Sequence, residues 1–233
     1  MAVAVNDIID KVEILLQDTT NIRWSAAELL AYANDAINEI VREKPEANVT
    51  TASVAWTQGT KQTLPTGGLV LIDVVRNMGT AGTVAGPAIR LIDRAILDAT
   101  LYDWHEAKYQ SATIQHWMFN PNNPKVWYIY PGSDGTTQGE ISYSAVIAPI
   151  AAGANIGLDD IYQSVIMDYM LYRAHSKDAD YNPNKELAIN HYSAFLTALG
   201  AQDRAERLLD PTKAYVLKDK VKYESKIDQG NVK

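Results

Sequence analysis

The apolar residues of this 233-residue chain change their spacing twice, and that change limits the folds open to it. Residues 6–18 carry Ile8, Ile9, Val12, Leu15 and Leu16 at helical spacing, with Asp7, Asp10 and Glu13 in the first turns. After the polar stretch Asp18-Thr19-Thr20-Asn21, the run Ser25-Ala26-Ala27-Glu28 has the spacing of a capping box. Trp24 and Leu29 stand at hydrophobic-staple spacing around it. Leu29, Leu30, Ala33, Ala36, Ile37, Ile40 and Val41 continue an apolar face to about Glu43, and Pro45 enforces the stop. Two antiparallel helices are therefore expected at the start.

Between residues 49 and 148 the pattern becomes that of strands. Residues 49–56 are rich in Thr and Val, and Gln58-Gly59-Thr60 reads as a turn that returns residues 61–64 as a hairpin. Residues 69–77 form a continuous apolar run, the mark of a buried strand, and residues 88–92 a short one. Asp93 reads as the N-cap of a helix over residues 94–101. Strands over 113–119 and 125–130 flank Asn120-Pro121-Asn122-Asn123-Pro124. Pro131-Gly132-Ser133-Asp134-Gly135 turns again into residues 139–148, which completes an antiparallel meander.

Helical spacing returns at Leu158 with Ile161, Tyr162, Val165, Tyr169 and Tyr172, to about Lys177. Asn182-Pro183 is an N-cap followed by proline at the first helical position. The next helix carries Leu187, Tyr192, Phe195, Leu196 and Leu199; Gly200 either caps it or only weakens it, and Asp210-Pro211 ends it. Each terminal helix has one apolar face to bury, so the four are expected to pack together. The expected fold is α+β. An antiparallel helical bundle body (residues 1–48 and 158–210) carries an inserted antiparallel β-rich region with one helix (49–157). An extended C-terminal arm (211–233) follows.

Charge sets the arm apart. The chain has 21 basic and 28 acidic residues, but residues 211–233 hold six lysines against three acids. An acidic body thus carries a basic tail, which has too few apolar groups for a core of its own. Tyr215, Val216, Leu217, Val221 and Tyr223 are its candidate anchors, with Lys218, Lys220 and Lys222 as electrostatic guides toward a partner. The acidic balance argues against nucleic-acid affinity driven by bulk charge. The absence of cysteine excludes disulfide scaffolds, thiolate metal sites and cysteine nucleophiles, and fits assembly in a reducing cytoplasm. No apolar run approaches a membrane span, and the first residues lack the pattern of a secretory signal.

Chemistry-bearing motifs are scarce. Asp178-Ala179-Asp180-Tyr181-Asn182-Pro183-Asn184-Lys185-Glu186 places oxygen ligands at alternate positions, like a calcium loop. It has proline where that loop needs glycine and Ile189 where it needs a bidentate acid, so an interhelix turn is the expected reading. The histidines (His105, His116, His175, His191) lack metal-binding spacing, although His175 and His191 can meet across the last helix pair. The glycine-rich residues 132–139 lie between strands rather than before a helix, so they are not a phosphate cradle. Trp104, Trp117, Trp127, Tyr128 and Tyr130 crowd the middle. They suit a sheet core with an aromatic rim, a protein interface, or a stacking platform for single strands. No catalytic residue, metal or cofactor is assigned. A metal-dependent hydrolase built on 178–186 or the His175/His191 pair, and a single-strand nucleic-acid binder, stand as the alternatives to a structural role.

Several segments in order resemble the head-to-tail adaptor (connector) proteins of short-tailed bacteriophages. They are Leu16-Gln17-Asp18-Thr19 with Arg23-Trp24-Ser25-Ala26-Ala27-Glu28-Leu29, and Gly59-Thr60-Lys61-Gln62-Thr63-Leu64-Pro65 running into Leu71-Ile72-Asp73-Val74-Val75-Arg76-Asn77. Ala88-Ile89-Arg90-Leu91-Ile92-Asp93-Arg94, Trp127-Tyr128-Ile129-Tyr130-Pro131 and Leu171-Tyr172-Arg173-Ala174-His175-Ser176-Lys177-Asp178 complete the set. The resemblance covers about residues 5–200 and leaves the tail as its least family-like part. It implies a non-enzymatic subunit of the virion neck, assembled in the host cytoplasm without membrane contact. Twelve copies would form a ring beneath the dodecameric portal protein and above the tail nozzle protein. Double-stranded DNA would pass through without specific binding, and the C-terminal arm would reach the portal.

Overall fold

The computed structural model describes residues 3–177 and 182–209. In chain order its elements are α1 (Val5–Leu16), α2 (Ala26–Glu43), β1 (Val49–Ala55), β2 (Gly59–Thr63), β3 (Gly68–Met78), β4 (Ala85–Ala88) and β5 (Arg90–Leu91). They continue with α3 (Arg94–Thr100), β6 (Gln110–Ser111), β7 (His116–Phe119), β8 (Val126–Ser133), β9 (Gln138–Ala145), α4 (Gln163–Ser176) and α5 (Asn182–Leu209). The fold is α+β, with five α helices among the described residues and sheets that are mainly antiparallel. No helix among these residues is long and apolar enough to cross a membrane. The contacts divide the chain into two units: one from residues 1–36 and 150–233, as far as these are described, and one from Ile37–Pro149.

In the helical unit α1 buries Val5, Ile8, Ile9 and Val12, the residues that its sequence spacing puts on one face. It stops at Gln17, whose backbone is left-handed, two residues short of the expected end. The Asp18 carboxylate then accepts the backbone N–H groups of Ile22, Arg23 and Trp24 at 2.8–3.0 Å, which shapes the turn into α2. Ser25 accepts the Glu28 N–H as a capping residue should, at 3.3 Å. The reciprocal half of the expected capping box does not form. The Glu28 carboxylate is taken instead by the Tyr32 hydroxyl at 2.6 Å and the Lys177 ammonium at 2.8 Å, because a charged donor outcompetes a backbone amide. Arg173 pairs with Asp35 at 2.9 Å, and the buried Trp24 indole donates to the Ala174 carbonyl at 3.3 Å. These contacts tie the start of α2 to the end of α4.

Helix α4 begins later than the Leu158 start read from the sequence. Asp160–Tyr162 is a separate 3-10 turn, and Leu158 lies outside regular structure. Asn34 fixes the strand-to-helix connection: its Oδ1 accepts the Ile150 N–H at 2.7 Å and its Nδ2 donates to the Ile150 carbonyl at 3.1 Å. Helix α5 starts at Asn182 and runs through Gly200, so that glycine weakens the helix without capping it.

The second unit departs from the expected meander. One sheet has the strand order β1-β9-β3-β4 and the other β2-β8-β7-β5, with β6 also pairing β8. Residues 49–56 and 61–64 therefore do not pair as a hairpin: β1 pairs β9, and β2 pairs β8. The expected turn around residues 131–135 lies partly inside β8, and β8 and β9 are likewise in different sheets. The expected strand over 88–92 is split in the same way between β4 and β5. The expected strand over 113–119 begins only at His116. Two short pairings, β5 with β7 and β6 with β8, are parallel.

The reason is that two antiparallel segments turn the same corner together. Ala55 pairs with Gln138 before it, Gly59 pairs with Ser133 after it, and the Trp56 N–H donates to the Thr137 carbonyl at 3.1 Å. Gly59 takes a φ of 99°, a conformation closed to most L residues. Buried Gln62 holds the corner from inside: it accepts the Thr57 N–H at 2.8 Å and donates to the Thr57 carbonyl at 2.7 Å. The Trp56 ring lies flush on Gly139, where an added Cβ would meet Trp56 Cζ2 at 1.8 Å.

Between the sheets sit Trp56, Leu71, Val74, Ile89, Ile114, Trp117, Trp127, Ile129, Ile141 and Tyr143. Alternate residues of β7 and β8 point the other way. Met118 with half-buried Tyr128 and Tyr130 packs with Leu97 of α3 and with Trp104. Asp93 caps α3 as expected, accepting the Ala95 N–H at 2.9 Å. Buried Asn77 is a polar clamp in this interior. Its Nδ2 donates to the Ile114 and Pro87 carbonyls at 2.7 and 2.9 Å, and its Oδ1 accepts the Ile114 N–H at 2.8 Å.

Two outcomes follow. G139A forces its methyl into the Trp56 ring and should cost about 1–3 kcal/mol, read as a lower Tm in thermal unfolding; an unchanged Tm would refute the close seat of the indole. The carboxyls of Asp18 and Glu28 are both held below their usual range, Asp18 first by the Trp24 N–H and Glu28 first by Lys177. Their contribution is complete above the ordinary carboxylate range and is lost as pH falls through the depressed folded values. D18N should therefore narrow the gap in denaturant midpoint between pH 7 and about pH 3; an identical gap would show that the Asp18 charge does not hold the turn.

Candidate interaction surfaces

The proposed hydrolase centre divides across the limit of the described residues. Residues 178–181 of the calcium-like stretch lie outside them, and Asn184, Lys185 and Glu186 fall in the first turns of α5. The two histidines do meet. The His175 and His191 rings stack with centroids 5.8 Å apart and planes 8° from parallel. His191 Nδ1 lies 3.2 Å from Asp168 Oδ1. Among the described residues no three His, Asp or Glu side chains converge as a metal would need.

These imidazoles line a groove of about 430 Å³ whose other walls include Leu15, Met167, Leu171 and Leu187. Leu15 is 56% exposed and Leu187 41%. The groove joins residues from α1, α4 and α5, and it is apolar apart from Ser164, Asp168 and the two rings. Its chemistry suits side-chain packing better than bond-making.

A second depression, about 640 Å³, lies in the β unit beside α3. Exposed Leu91, Phe119 and Pro121 border it, and the Arg94 guanidinium sits 5.2 Å from the Tyr128 ring centre across it. Nearby Trp104 is fully buried, stacked on His105 at 3.6 Å and donating its indole N–H to Asp98 at 2.9 Å. Burial is the main cause of a lowered His105 pKa, so this imidazole is biased toward its neutral form. It forms a 2.7 Å hydrogen bond with the Thr60 hydroxyl.

The tryptophans of the middle belong to its interior. All five tryptophans are buried: Trp24 in the helical unit, Trp56, Trp117 and Trp127 between the sheets, and Trp104 beneath α3. None of these five offers an open face on which a base could stack, whereas half-buried Tyr128 borders the depression beside α3 and Tyr102 is exposed. Sequence reasoning missed both depressions, because each is lined by residues from segments distant in sequence. The arm residues Tyr215, Val216, Leu217, Lys218, Lys220, Val221, Lys222 and Tyr223 lie outside the described residues.

No curated protein matches the chain. The sequence profile described as SU10 adaptor protein matches residues 4–214, nearly the whole length. With that match the ordered segments, the two-part α+β architecture and the surfaces suited to packing come under one heading: the chain belongs to the SU10 adaptor protein family, structural proteins of the bacteriophage virion that act between head and tail.

Proposed function

We propose that this chain forms a homo-oligomeric ring, of twelve copies by the resemblance described above, that joins the portal protein to the tail nozzle protein and lines the channel for double-stranded DNA. The family match over residues 4–214 carries this reading. In it, residues 1–48 and 158–210 form the antiparallel helical body, 49–157 the β-rich insertion, and 211–233 the portal-binding arm. The tie of Glu28, Asp35 and Trp24 to α4 supports a body closed from both chain ends.

The charge distribution fits this role. A net charge of −7 opposes like-charged DNA, so a duplex in the channel slides rather than sticks. The arm is the basic exception, and lysines at 218, 220 and 222 speed docking on an acidic partner surface. Tyr215, Leu217, Val221 and Tyr223 supply the apolar area that holds it there. In this reading the entropy of ordering the arm is spent only when it docks on the portal. Contacts between neighbours in such a ring are heterologous, so closure follows from the rotation per subunit.

Native mass measurement of the chain mixed with the portal protein of the same virus tests the ring: a discrete complex with many copies on one portal is expected, and no complex at any ratio refutes it. A chain ending at Asp210 should keep its circular dichroism and lose portal binding. In the full chain, replacing Tyr215 and Tyr223 by Ala should weaken binding at least roughly tenfold. Replacing the three lysines should chiefly flatten its salt dependence. Unaltered binding by the truncated chain would remove the arm from the portal contact.

A further inference from the structure

Five strands have an unpaired side in the two sheets, and four of them carry a device against further pairing, β6 by being only two residues long. β2 is five residues long, bears Lys61 and changes register between Gly59 and Lys61. β4 contains Pro87 and pairs with a register shift. β5 has two residues, one of them Arg90. Charge, proline, irregularity and shortness are the usual protections of an open edge.

β1 has none of them. Its seven residues, Val49-Thr50-Thr51-Ala52-Ser53-Val54-Ala55, include no charge, no proline and no glycine, and they pair with β9 without a register shift. The Ala145 N–H donates to the Asn48 carbonyl and the Trp56 N–H to the Thr137 carbonyl, and both pairs continue the β1–β9 register. The even residues of β1 therefore hydrogen-bond toward β9, and Val49, Thr51, Ser53 and Ala55 turn their N–H and C=O groups outward. Among the described residues no backbone partner takes these outward groups. The same four residues are exposed, whereas Ala52 and Val54 pack against the core between the sheets.

We propose that β1 is a self-complementary edge on which a second copy of this chain pairs antiparallel, about a two-fold axis at Ala52. In that register Val49 faces Ala55 of the second copy, and Thr51 faces Ser53. The outward groups of all four residues then meet one another as hydrogen-bonded pairs. Thr50 faces Val54, and Ala52 faces its own equivalent, beside the core face. Thr–Ser and β-branched pairs favour such a ladder, and no like charges are set opposite each other. Residues 37–149 hold eight basic against ten acidic side chains, so the β unit escapes most of the self-repulsion of the whole chain. The pairing is isologous, whereas the proposed ring repeats one contact head to tail. It therefore belongs to free chains, and its outcome is independent of the ring.

Sedimentation of the full chain across a wide micromolar range tests it, together with hydrogen exchange. A monomer–dimer equilibrium is expected. Exchange at Val49, Thr51, Ser53 and Ala55 should slow as concentration rises, while the amides of Thr50, Ala52 and Val54 stay protected throughout. T51K, at an exposed position, should keep the circular dichroism of the wild type and weaken dimerisation at least roughly tenfold, and T51V should retain it. Monomer mass at every concentration would overturn the proposal. So would a dimer that T51K leaves unchanged, or one whose four outward amides exchange at a rate independent of concentration.

Discussion

The β unit depends on the seat of the Trp56 indole against Gly139, at the corner where two antiparallel segments leave one sheet for the other. Without a corner, residues 49–63 and 126–145 would form one long flat ribbon with no interior. With it, β1 and β9 lie in one sheet, β2 and β8 in the other, and the apolar rows of both face the same core. Gln62 satisfies the Thr57 backbone groups that the corner takes out of the ladder, whereas the Trp56 indole N–H is buried there without a hydrogen-bond partner among the described residues. Asn77 does similar work where β4 gives way to β5.

This arrangement accounts for a composition with five tryptophans and thirteen tyrosines but only two phenylalanines. A thin core between two small sheets gains much apolar area from a few wide rings. The tyrosines of β8 serve the opposite face, where their rings pack edge-on against Trp104 and beside α3. The tryptophan rings committed in this way are unavailable for stacking on a ligand.

The helical unit shows a different economy. Its connections are held by single polar side chains: Asp18 on the turn after α1, Asn34 on the segment before α4, and Glu28 on Lys177. Partial burial beside the Glu28 carboxylate pushes the pKa of the Tyr32 hydroxyl up to about 12, so it stays protonated and remains a donor to that carboxylate. For a structural adaptor this is a suitable construction, because the connections between helices are fastened at points rather than only by an apolar face.

Local pattern was enough to read the five helices, the Asp93 cap, most strand segments and the α+β class. Those features depend on spacing of 3.6 or 2 residues and on caps a few residues away. The meeting of His175 and His191 was legible too, because two successive helices bring their faces together. Which strand pairs with which was not. Residues 49–64 have every local mark of a hairpin, but whether they pair with each other or with 126–145 depends on the contact of Trp56 with Gly139, which are 83 positions apart. The same limit hid the bare edge of β1 and both surface depressions. Sequence by itself determined what each segment prefers to be; the tertiary structure decided its neighbours, because that choice rests on contacts for which loop closure must first be met.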